Sequence, residues 1–326
     1  VVEGTAPAPS LYAAGGAPIS CRDACTLRME ADGGISCTTG LTDQGQGGIA
    51  VVTQIVADTL SIDMEKIRVT MGDTATTPFG GGTWASRGTA IAGEATLRAA
   101  KALKEAILET ASHISEQPIE ILDIVDGKIV NLETGEAQLT LKDIGEAIHF
   151  RTDMFPKDFE PELIVTKHYS QREQRMIYAN CSLGVSLDVD TNTGLVKLNK
   201  VWAVDDCGRV INPKLVTEQI RGGVVQGIGS SLYEECLYDE DGQLLNGSLM
   251  EYLVPMASDV CDIECEHIET PTKATELGAK GCGEAGIIGI CAAIMNAINN
   301  ALEPFDASIT SQPFTPAKIL KALGKI

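Results

Sequence analysis

The sequence predicts an α+β fold in which two halves of similar style each combine a mixed sheet with packed helices. Apolar residues alternate with polar ones over 26–39 and again over 183–204, which is the period of a strand with one buried face. A glycine-containing segment with the features of a helix follows each of these stretches. A chain of 326 residues would ordinarily form about two domains, which agrees with this repetition.

The composition argues against two kinds of partner. The formal net charge is −20 and no basic patch offsets it, which argues against nucleic acid and an anionic membrane surface. The longest strongly apolar run, which follows Glu284, is judged shorter than the roughly 20 residues of a membrane span. Residues 1–7 lack the charged and apolar regions of a secretory signal. We therefore expect a cytoplasmic location.

The ten cysteines are scattered and contain no C-x-x-C pair. Two C-x-x-x-C pairs, Cys21 with Cys25 and Cys261 with Cys265, have no histidine at metal-site spacing. The four histidines are far apart, and we expect each to lie at the surface or in hydrogen bonds. Because an iron–sulfur cluster needs closely spaced thiolates, we expect reduced thiols and no such cluster on this chain.

The N-terminal region is predicted to contain an arm, a hairpin and a helix. Residues 1–20 are rich in Ala, Gly and Pro, so we expect an irregular arm or loop. The hairpin over 26–39 turns at Asp32-Gly33-Gly34. The glycine loop at 42–48 opens a helix whose apolar residues, from 49 to 60, recur at helical spacing.

A strand, a second glycine loop and a long helix are predicted next. The strand covers 67–71, and the loop at 80–89 combines Gly, Ser and Thr with one Trp and one Arg. Such a loop is typical of a surface where backbone amides and hydroxyls face an anion, although an ordinary flexible loop is the alternative. The long helix is expected over 90–114. A more polar peripheral segment follows over 119–159, with a helix at 141–150.

The second half is predicted to begin with a strand pair over 183–204 that turns at 190–194. Asn212 as cap and Pro213 at the first helical position then announce a helix. That helix is rich in small residues, which implies close packing against another backbone or a cofactor. A short last helix is predicted over 315–323.

The stretch 281–286 frames a single carboxylate, Glu284, with three glycines, and an apolar helical run follows at once. Its glycines satisfy the G-x-G-x-x-G pattern of dinucleotide-binding folds, but residues 270–280 do not resemble the strand that this pattern requires. A second alternative is that Glu284 only caps the following helix, which is common for acidic residues. The stretch alone favours the capping role.

Five motifs in this order resemble the xanthine oxidase family of molybdenum hydroxylases. They are Gly45-Gln46-Gly47, Thr83-Trp84-Ala85-Ser86-Arg87-Gly88, Val204-Asp205-Asp206-Cys207-Gly208-Arg209-Val210-Ile211-Asn212-Pro213, Gln219-Ile220-Arg221-Gly222-Gly223-Val224-Val225-Gln226-Gly227 and Gly281-Cys282-Gly283-Glu284. Each motif is weak alone, but their order and spacing match the C-terminal half of the family's molybdopterin-binding subunit. The resemblance implies two related molybdopterin-binding subdomains, which we expect at 1–165 and 166–326, the second carrying the catalytic Glu, with interleaving left open.

The resemblance also implies a role for each matching position. The first loop would contact the pterin dithiolene through its backbone and a Gln side chain, at Gly45, Gln46 and Gly47. The second loop would lie near the metal's oxygen ligands and the cofactor's phosphates, at Trp84, Ala85, Ser86, Arg87, Gly88 and Thr89. Gln219 and Gly283 would also bind the cofactor, and Glu284 would act as general base. No metal ligand from this chain is implied, because the pterin dithiolene holds the molybdenum.

The implied reaction is hydroxylation of an electron-poor heteroaromatic carbon with water as the oxygen source. We expect nicotinate as substrate and 6-hydroxynicotinate as product; a purine, an aldehyde, an aromatic acyl-CoA or CO are alternatives, as is a non-catalytic scaffold. The implied cofactor is a molybdopterin dinucleotide, of the cytosine form, with molybdenum. The family's subunit is more than twice this length, so a larger molybdopterin subunit would complete the site unless this chain is a fragment. FAD and [2Fe-2S] clusters are expected on partner subunits.

Overall fold

The computed structural model describes residues 2–14, 22–171 and 177–326, and the chain divides into two compact units that are discontinuous in sequence. Unit 1 comprises Val1–Ala14, Tyr178–Thr270 and Lys280–Ile326, and unit 2 comprises Gly15–Ile177 and Pro271–Ala279. The assignment of 1–165 and 166–326 as two molybdopterin-binding subdomains stays a prediction.

The described residues form strands and helices with the following bounds. The strands are β1 (Val2–Ala14), β2 (Arg22–Met29), β3 (Ile35–Thr39), β4 (Ile67–Met71), β5 (Leu122–Val125), β6 (Lys128–Asn131), β7 (Ala137–Thr140), β8 (Ile164–Ser170), β9 (Ile177–Val189), β10 (Val196–Asp206) and β11 (Asp262–His267). The α-helices are α1 (Gly48–Leu60), α2 (Glu94–Ser115), α3 (Leu141–Phe150), α4 (Pro213–Leu232), α5 (Ala285–Leu302) and α6 (Pro316–Ala322).

Unit 2 is built on a mixed sheet with strand order β4-β3-β2-β8. β2 pairs antiparallel with both β3 and β8, whereas β3 and β4 are parallel. Helices α1 and α2 bury their apolar sides with this sheet, through residues such as Val56, Leu103 and Ile107 packed with Leu27 and Ile35. Each such side chain contributes about 1.5–3 kcal/mol on burial. The predicted hairpin, strand and helices of this region are confirmed.

A small antiparallel sheet, β5-β6-β7, extends unit 2 and leads into α3. Thr140 caps α3 through a reciprocal capping box with Asp143, since each side chain bonds the other residue's backbone amide. The predicted helix at 141–150 is therefore confirmed, and local capping chemistry explains why the sequence located it well.

Unit 1 contains a second mixed sheet, of order β1-β9-β10-β11. β9 and β10 are antiparallel with an irregularity between Leu198 and Lys200, and β10 and β11 are parallel. Its core brings residues of α4 and α5, including Ile228 and Ile294, onto the β9 and β10 side chains. Asn212 accepts a hydrogen bond from the amide of Leu215, which confirms the predicted cap of α4.

Both units repeat one order of elements. An antiparallel hairpin (β2–β3 or β9–β10) leads into a helix (α1 or α4), and the next main strand (β4 or β11) runs parallel to the second hairpin strand. A loop then precedes a long helix, α2 or α5. The α+β fold with mixed sheets and packed helices is thus confirmed.

Two expectations from the sequence are wrong. Residues 2–14, expected in an irregular arm, form β1 at the edge of the unit 1 sheet, while Val1 and residues 15–20 lie outside the described residues. The apolar run after Glu284 is also longer than expected, because Ala285–Phe305 spans 21 residues with mean hydropathy 1.6, enough to cross a bilayer by length and composition alone. More than half of it is buried in the protein, so a core helix accounts for its composition.

Candidate functional site

The candidate residues occupy corresponding places in the two units. In unit 2, Gly45–Gly47 end the loop before α1, and residues 84–89 lie in the loop and π-helix before α2. In unit 1, Gly283 and Glu284 precede α5, and Gln219 lies on α4. Because the first amides of a helix lack intrahelical partners, these places favour anions and polar groups.

The glycine loop before α1 is held by its own polar side chains. Asp43 accepts hydrogen bonds from the amides of Gly45 and Ile49, at 2.8 and 2.9 Å. Burial by itself would raise the pKa of Asp43, but these backbone hydrogen bonds outweigh it and lower the pKa. Sequence reasoning missed this role, although an Asp two residues before a Gly was a usable signal for a turn.

Gln46 uses both ends of its amide inside the same loop. Its Oε1 accepts from the amide of Gln44 at 2.6 Å, and its Nε2 donates to the carbonyl of Thr42 at 3.1 Å. The side chain therefore shapes the loop, and the contact with a pterin that the resemblance implies stays a prediction. Gly45 has φ +98, and a side chain there would meet nothing within 4 Å, so the space beside it is open.

The structure brings the two glycine loops of unit 2 together. The amide of Thr83 donates to Thr42 Oγ1 at 3.1 Å, and Thr83 Oγ1 donates to the Thr42 carbonyl at 2.5 Å. Gln44 Nε2 adds a bond to the Thr83 carbonyl at 3.2 Å. Two motifs about 40 residues apart in sequence thus form one surface element, as expected if both contact one ligand.

Arg87 anchors the second loop from inside the unit. Its fully buried guanidinium donates to Asp23 Oδ2 at 3.0 Å and to the carbonyls of Gly82 and Arg22, at 2.7 and 3.1 Å. Burial raises the pKa of Asp23 even though Arg87 lies beside it. The family resemblance places Arg87 in the loop near the metal's oxygen ligands and the cofactor's phosphates, and this stays a prediction. Its side chain holds the loop in place, so a cofactor contact at this position would come from the backbone.

Backbone conformation makes the second loop suitable for an anionic group. Ala85 and Ser86 have φ values of 47° and 53°, in the left-handed region, and Arg87 returns to the right-handed region at φ −87°. Such non-glycine conformations cost roughly 1–3 kcal/mol each and concentrate at ligand sites. Alternation of this kind turns successive amides toward one side. The π-helix Gly88–Gly93 that follows is a further feature common at functional sites.

Trp84 and Gly80 are two further members of this loop. Trp84 is 40% exposed, and its Nε1 donates to the Gly81 carbonyl at 2.8 Å. On the inner side, a Cβ at Gly80 would stand 2.3 Å from Asp23 Oδ1, so only glycine permits this close approach. The loop is therefore fixed on its inner side and accessible on its outer side.

Glu284 immediately precedes α5, at the N-cap position, and its exposed side chain makes no capping hydrogen bond to the helix. The simple capping role is therefore not supported. The dinucleotide alternative also fails, because residues 270–280 contain no strand and the helix is followed by a 3-10 turn, Glu303–Phe305. Glu284 is thus presented at the N-terminal end of α5.

Helix α4 fixes the turn that carries Glu284. Gln219 Nε2 donates to the carbonyl of Gly283 at 2.8 Å. A Cβ on Gly286 would lie 2.3 Å from the carbonyl oxygen of Ile220, so α4 and α5 cross at backbone contact. The small residues of α4, expected to pack on a backbone or a cofactor, therefore pack in part on the start of α5.

A metal site made by this chain finds no support in the described residues. No group of three or more His, Cys, Asp and Glu side chains in the described ranges could hold an ion. His267 is engaged by the Asp205 carboxylate on one side and by Thr217 Oγ1, at 2.9 Å, on the other. Nine cysteines within the described ranges are free thiols, and Cys21 lies outside them.

Comparison with known proteins agrees with this arrangement. Residues 1–261 match the molybdopterin cofactor-binding domain family. The chain is 36% identical to the nicotine 6-hydroxylase large subunit of Paenarthrobacter nicotinovorans over 98% of its own length and 39% of that protein. It is 30% identical to the carbon monoxide dehydrogenase large chain of Afipia carboxidovorans, over 93% of its own length and 37% of that chain.

Solved structures give the same result. Quinoline 2-oxidoreductase from Pseudomonas putida 86 superposes with a TM-score of 0.90 and 31% identity, over 99% of this chain and 42% of that one. The chain thus spans less than half the length of the relatives that it matches. With the family pattern covering most of the chain, the protein belongs to the molybdopterin cofactor-binding domain family of the xanthine oxidase type of molybdenum hydroxylases.

Proposed function

We propose that this chain is the medium molybdopterin subunit of a nicotinate dehydrogenase, a molybdenum hydroxylase with an active site completed by a larger subunit. The overall reaction converts a ring C–H and water into C–OH, two protons and two electrons. The observation that carries the proposal is Glu284, which is exposed at the start of α5 and leaves its own helix uncapped while the turn around it is fixed.

Glu284 would act as the general base. Its carboxylate would accept a proton from the water-derived nucleophile as the new C–O bond forms. When bound, the molybdenum cofactor would supply Lewis-acid activation of water and accept the two electrons. Gly286 lies in backbone contact with α4, which would hold the backbone next to Glu284 in place during the reaction.

The loops of unit 2 would hold the cofactor, a molybdopterin cytosine dinucleotide. The loop Gly45–Gly47 has open space beside Gly45, and residues 84–89 offer amides in a strained turn that suits phosphate oxygens. Gln46 and Arg87 would act mainly by shaping these loops, since their side chains bond within unit 2. Gln219 and Gly283 would complete this chain's share of the contacts.

A nitrogen heteroaromatic is the substrate class that the relatives favour. Two of them carry nicotine or quinoline in their names, and both compounds contain an electron-poor ring with nitrogen. Nicotinate belongs to the same class. Carbon monoxide and purines are the competing substrates, because dehydrogenases for carbon monoxide and xanthine are also among the relatives.

Partner subunits are part of the proposal. Exposed apolar side chains are concentrated in one segment of unit 1, at Leu245, Leu249, Met250, Leu253, Val254 and Met256. We assign this apolar segment, residues 245–256, to contact with the larger molybdopterin subunit, because a partner that completes the site would cover such a surface. FAD and [2Fe-2S] subunits would carry the electrons away. A cytoplasmic location fits the free thiols.

The direct test is to purify the native complex through a tag on this chain. One molybdenum and one cytosine-containing pterin dinucleotide per copy are expected, together with turnover of nicotinate to 6-hydroxynicotinate. Nicotine, quinoline, xanthine and carbon monoxide form the comparison panel. A complex without molybdenum and pterin, yet correctly assembled, would favour a scaffold role. Turnover of another panel member alone would replace the substrate and keep the enzyme class.

A further inference from the structure

We propose that Lys280 and Asp206 are positioning residues for Glu284: their buried ion pair fixes the turn 281–284 on the end of β10. This inference rests on the proposed role of Glu284 as general base. Neither the Lys280 nor the Asp206 side chain takes part in the reaction; both act through the geometry of the turn.

The ion pair is nearly buried and lies in a network of hydrogen bonds. Lys280 Nζ lies 2.9 Å from Asp206 Oδ2, and the two side chains are only 10% and 11% exposed. Thr270 joins them, since its hydroxyl contacts Asp206 Oδ2 and lies 2.8 Å from Lys280 Nζ. The amides of Gly208 and Thr270 donate to Asp206 Oδ1 at 3.0 and 3.2 Å. This network holds both charges in one geometry.

The backbone of Lys280 is tied to the same place. Its amide donates to the carbonyl of Cys207 at 2.7 Å, so the residue before the turn is held through both main chain and side chain. Sequence reasoning named Asp206 only as a motif member and gave no role to Lys280, because the two residues are 74 positions apart.

Glu284 therefore lies between anchors on both sides. Lys280 fixes the start of the turn on β10, and Gln219 fixes the Gly283 carbonyl at 2.8 Å. On the far side, Gly286 is in backbone contact with α4. With only four residues between Lys280 and Ala285, loss of the first anchor frees the segment that sets the direction of the Glu284 side chain. General bases require such fixed placement, since a displacement of about 1 Å can reduce turnover about 100-fold.

The test uses four variants of the native complex: Lys280→Met, Asp206→Asn, the double variant and Lys200→Met. Lys200 is the matched control, because it pairs with Glu264 in the same unit but its side chain is 34% exposed and that of Glu264 51%. Turnover is measured with nicotinate, or with the panel member that the complex oxidises, and normalised to bound molybdenum. Hydrogen–deuterium exchange of residues 281–286 is measured in parallel.

The expected result is a fall in kcat of about 10- to 100-fold for both single variants, with KM within about twofold and cofactor content unchanged. Exchange over 281–286 should rise, and Lys200→Met should change neither quantity. Each single variant leaves one buried charge without its partner, which can disrupt the fold. The double variant removes both charges together and avoids this effect. It should show the same lowered kcat as the single variants.

Normal kcat and unchanged exchange in the double variant would overturn the proposal. A fall in melting temperature without a change in kcat per molybdenum would also overturn it, because the pair would then be only structural. Full activity of Glu284→Gln would refute the catalytic role instead. The exchange measurement would still show whether the pair fixes the turn.

Discussion

Gln219 Nε2 donates a 2.8 Å hydrogen bond to the carbonyl oxygen of Gly283, the residue immediately before Glu284. This bond links the middle of α4 to the turn at the start of α5 and makes the placement of the carboxylate depend on the α4 side chain. The family resemblance instead assigns Gln219 to the pterin. Experiment can separate a role of Gln219 in positioning Glu284 from a role in binding the pterin.

Replacing Gln219 by Leu removes the donor and leaves the Gly283 carbonyl without this partner. The unfolding free energy should fall by about 1 kcal/mol, which is the usual net contribution of one hydrogen bond. If the bond positions Glu284, turnover falls at constant pterin content. Loss of pterin at constant melting temperature would instead assign Gln219 to cofactor binding. Gln226→Leu, at an exposed position of the same helix, is the control and should leave both quantities unchanged.

The buried Arg87–Asp23 pair should matter far more than a surface pair. Arg87→Met leaves the Asp23 carboxyl buried without its cation, and such changes cost about 3–5 kcal/mol. Asp23→Asn in the same chain should recover part of this loss, because the burial-raised pKa of Asp23 already disfavours its charged form. Thermal melting of the complex measures both effects.

Arg28 and Glu30 supply the control for that pair, because their side chains are 54% and 30% exposed. Arg28→Met should cost no more than about 1 kcal/mol. Equal losses for Arg87→Met and Arg28→Met would contradict the assignment of Arg87 as the inner anchor of the second glycine loop.

Asp206 gives a stability effect that depends on pH in a defined direction. Burial by itself would raise its pKa, but hydrogen bonds from Thr270 and Lys280 outweigh burial and lower the pKa. A carboxyl with a lowered pKa in the folded state stabilises the fold above its unfolded pKa of about 3.9 and loses that contribution as pH falls further. The melting temperature of Asp206→Asn should therefore lie below that of the unmodified protein at pH 5–7. The gap should narrow below about pH 4. A constant gap down to pH 3 would mean that the charge of Asp206 contributes nothing.

The apolar segment 245–256 should be needed for assembly. Met250 and Leu249 are 88% and 82% exposed, so the double change Leu249→Asp and Met250→Asp should leave the fold of this chain intact. Burial of such side chains in a contact contributes about 1.5–3 kcal/mol each, so the larger subunit should co-purify at reduced yield. Ile326→Asp, at an exposed position outside the segment, is the control. Full co-purification of the double variant would place the contact elsewhere.

Much of the fold could be predicted from the sequence because turns and helix caps depend on residues that are close in sequence. The turn Asp32-Gly33-Gly34 and the caps Asn212 and Thr315 each act within a few residues, and the predicted elements beside them are confirmed. The strands that were missed depend on distant partners. β8 pairs with β2, about 140 residues away, and β1, at the start of the chain, joins β9 in its middle.

The same difference between local motifs and distant partners applies to the candidate site. The glycine loops and Glu284 were found because several short motifs occurred in one order, whereas their supports were not visible. Asp23 beneath Arg87 and Asp206 beside Lys280 are separated from their partners by 64 and 74 residues. Nothing in the local sequence of Arg87 indicates that its guanidinium points into the unit rather than toward an anion.

The central claim is that Glu284 is the general base, and Glu284→Gln tests it most directly. The variant complex should retain molybdenum and pterin, because the fixed turn and the glycine loops are unchanged. Its turnover of nicotinate, or of the panel member that the unmodified complex oxidises, should fall by about 10²- to 10⁴-fold. Glu240→Gln, in an exposed loop of the same unit, should be fully active. Turnover of Glu284→Gln at the normal rate per molybdenum would contradict the assignment.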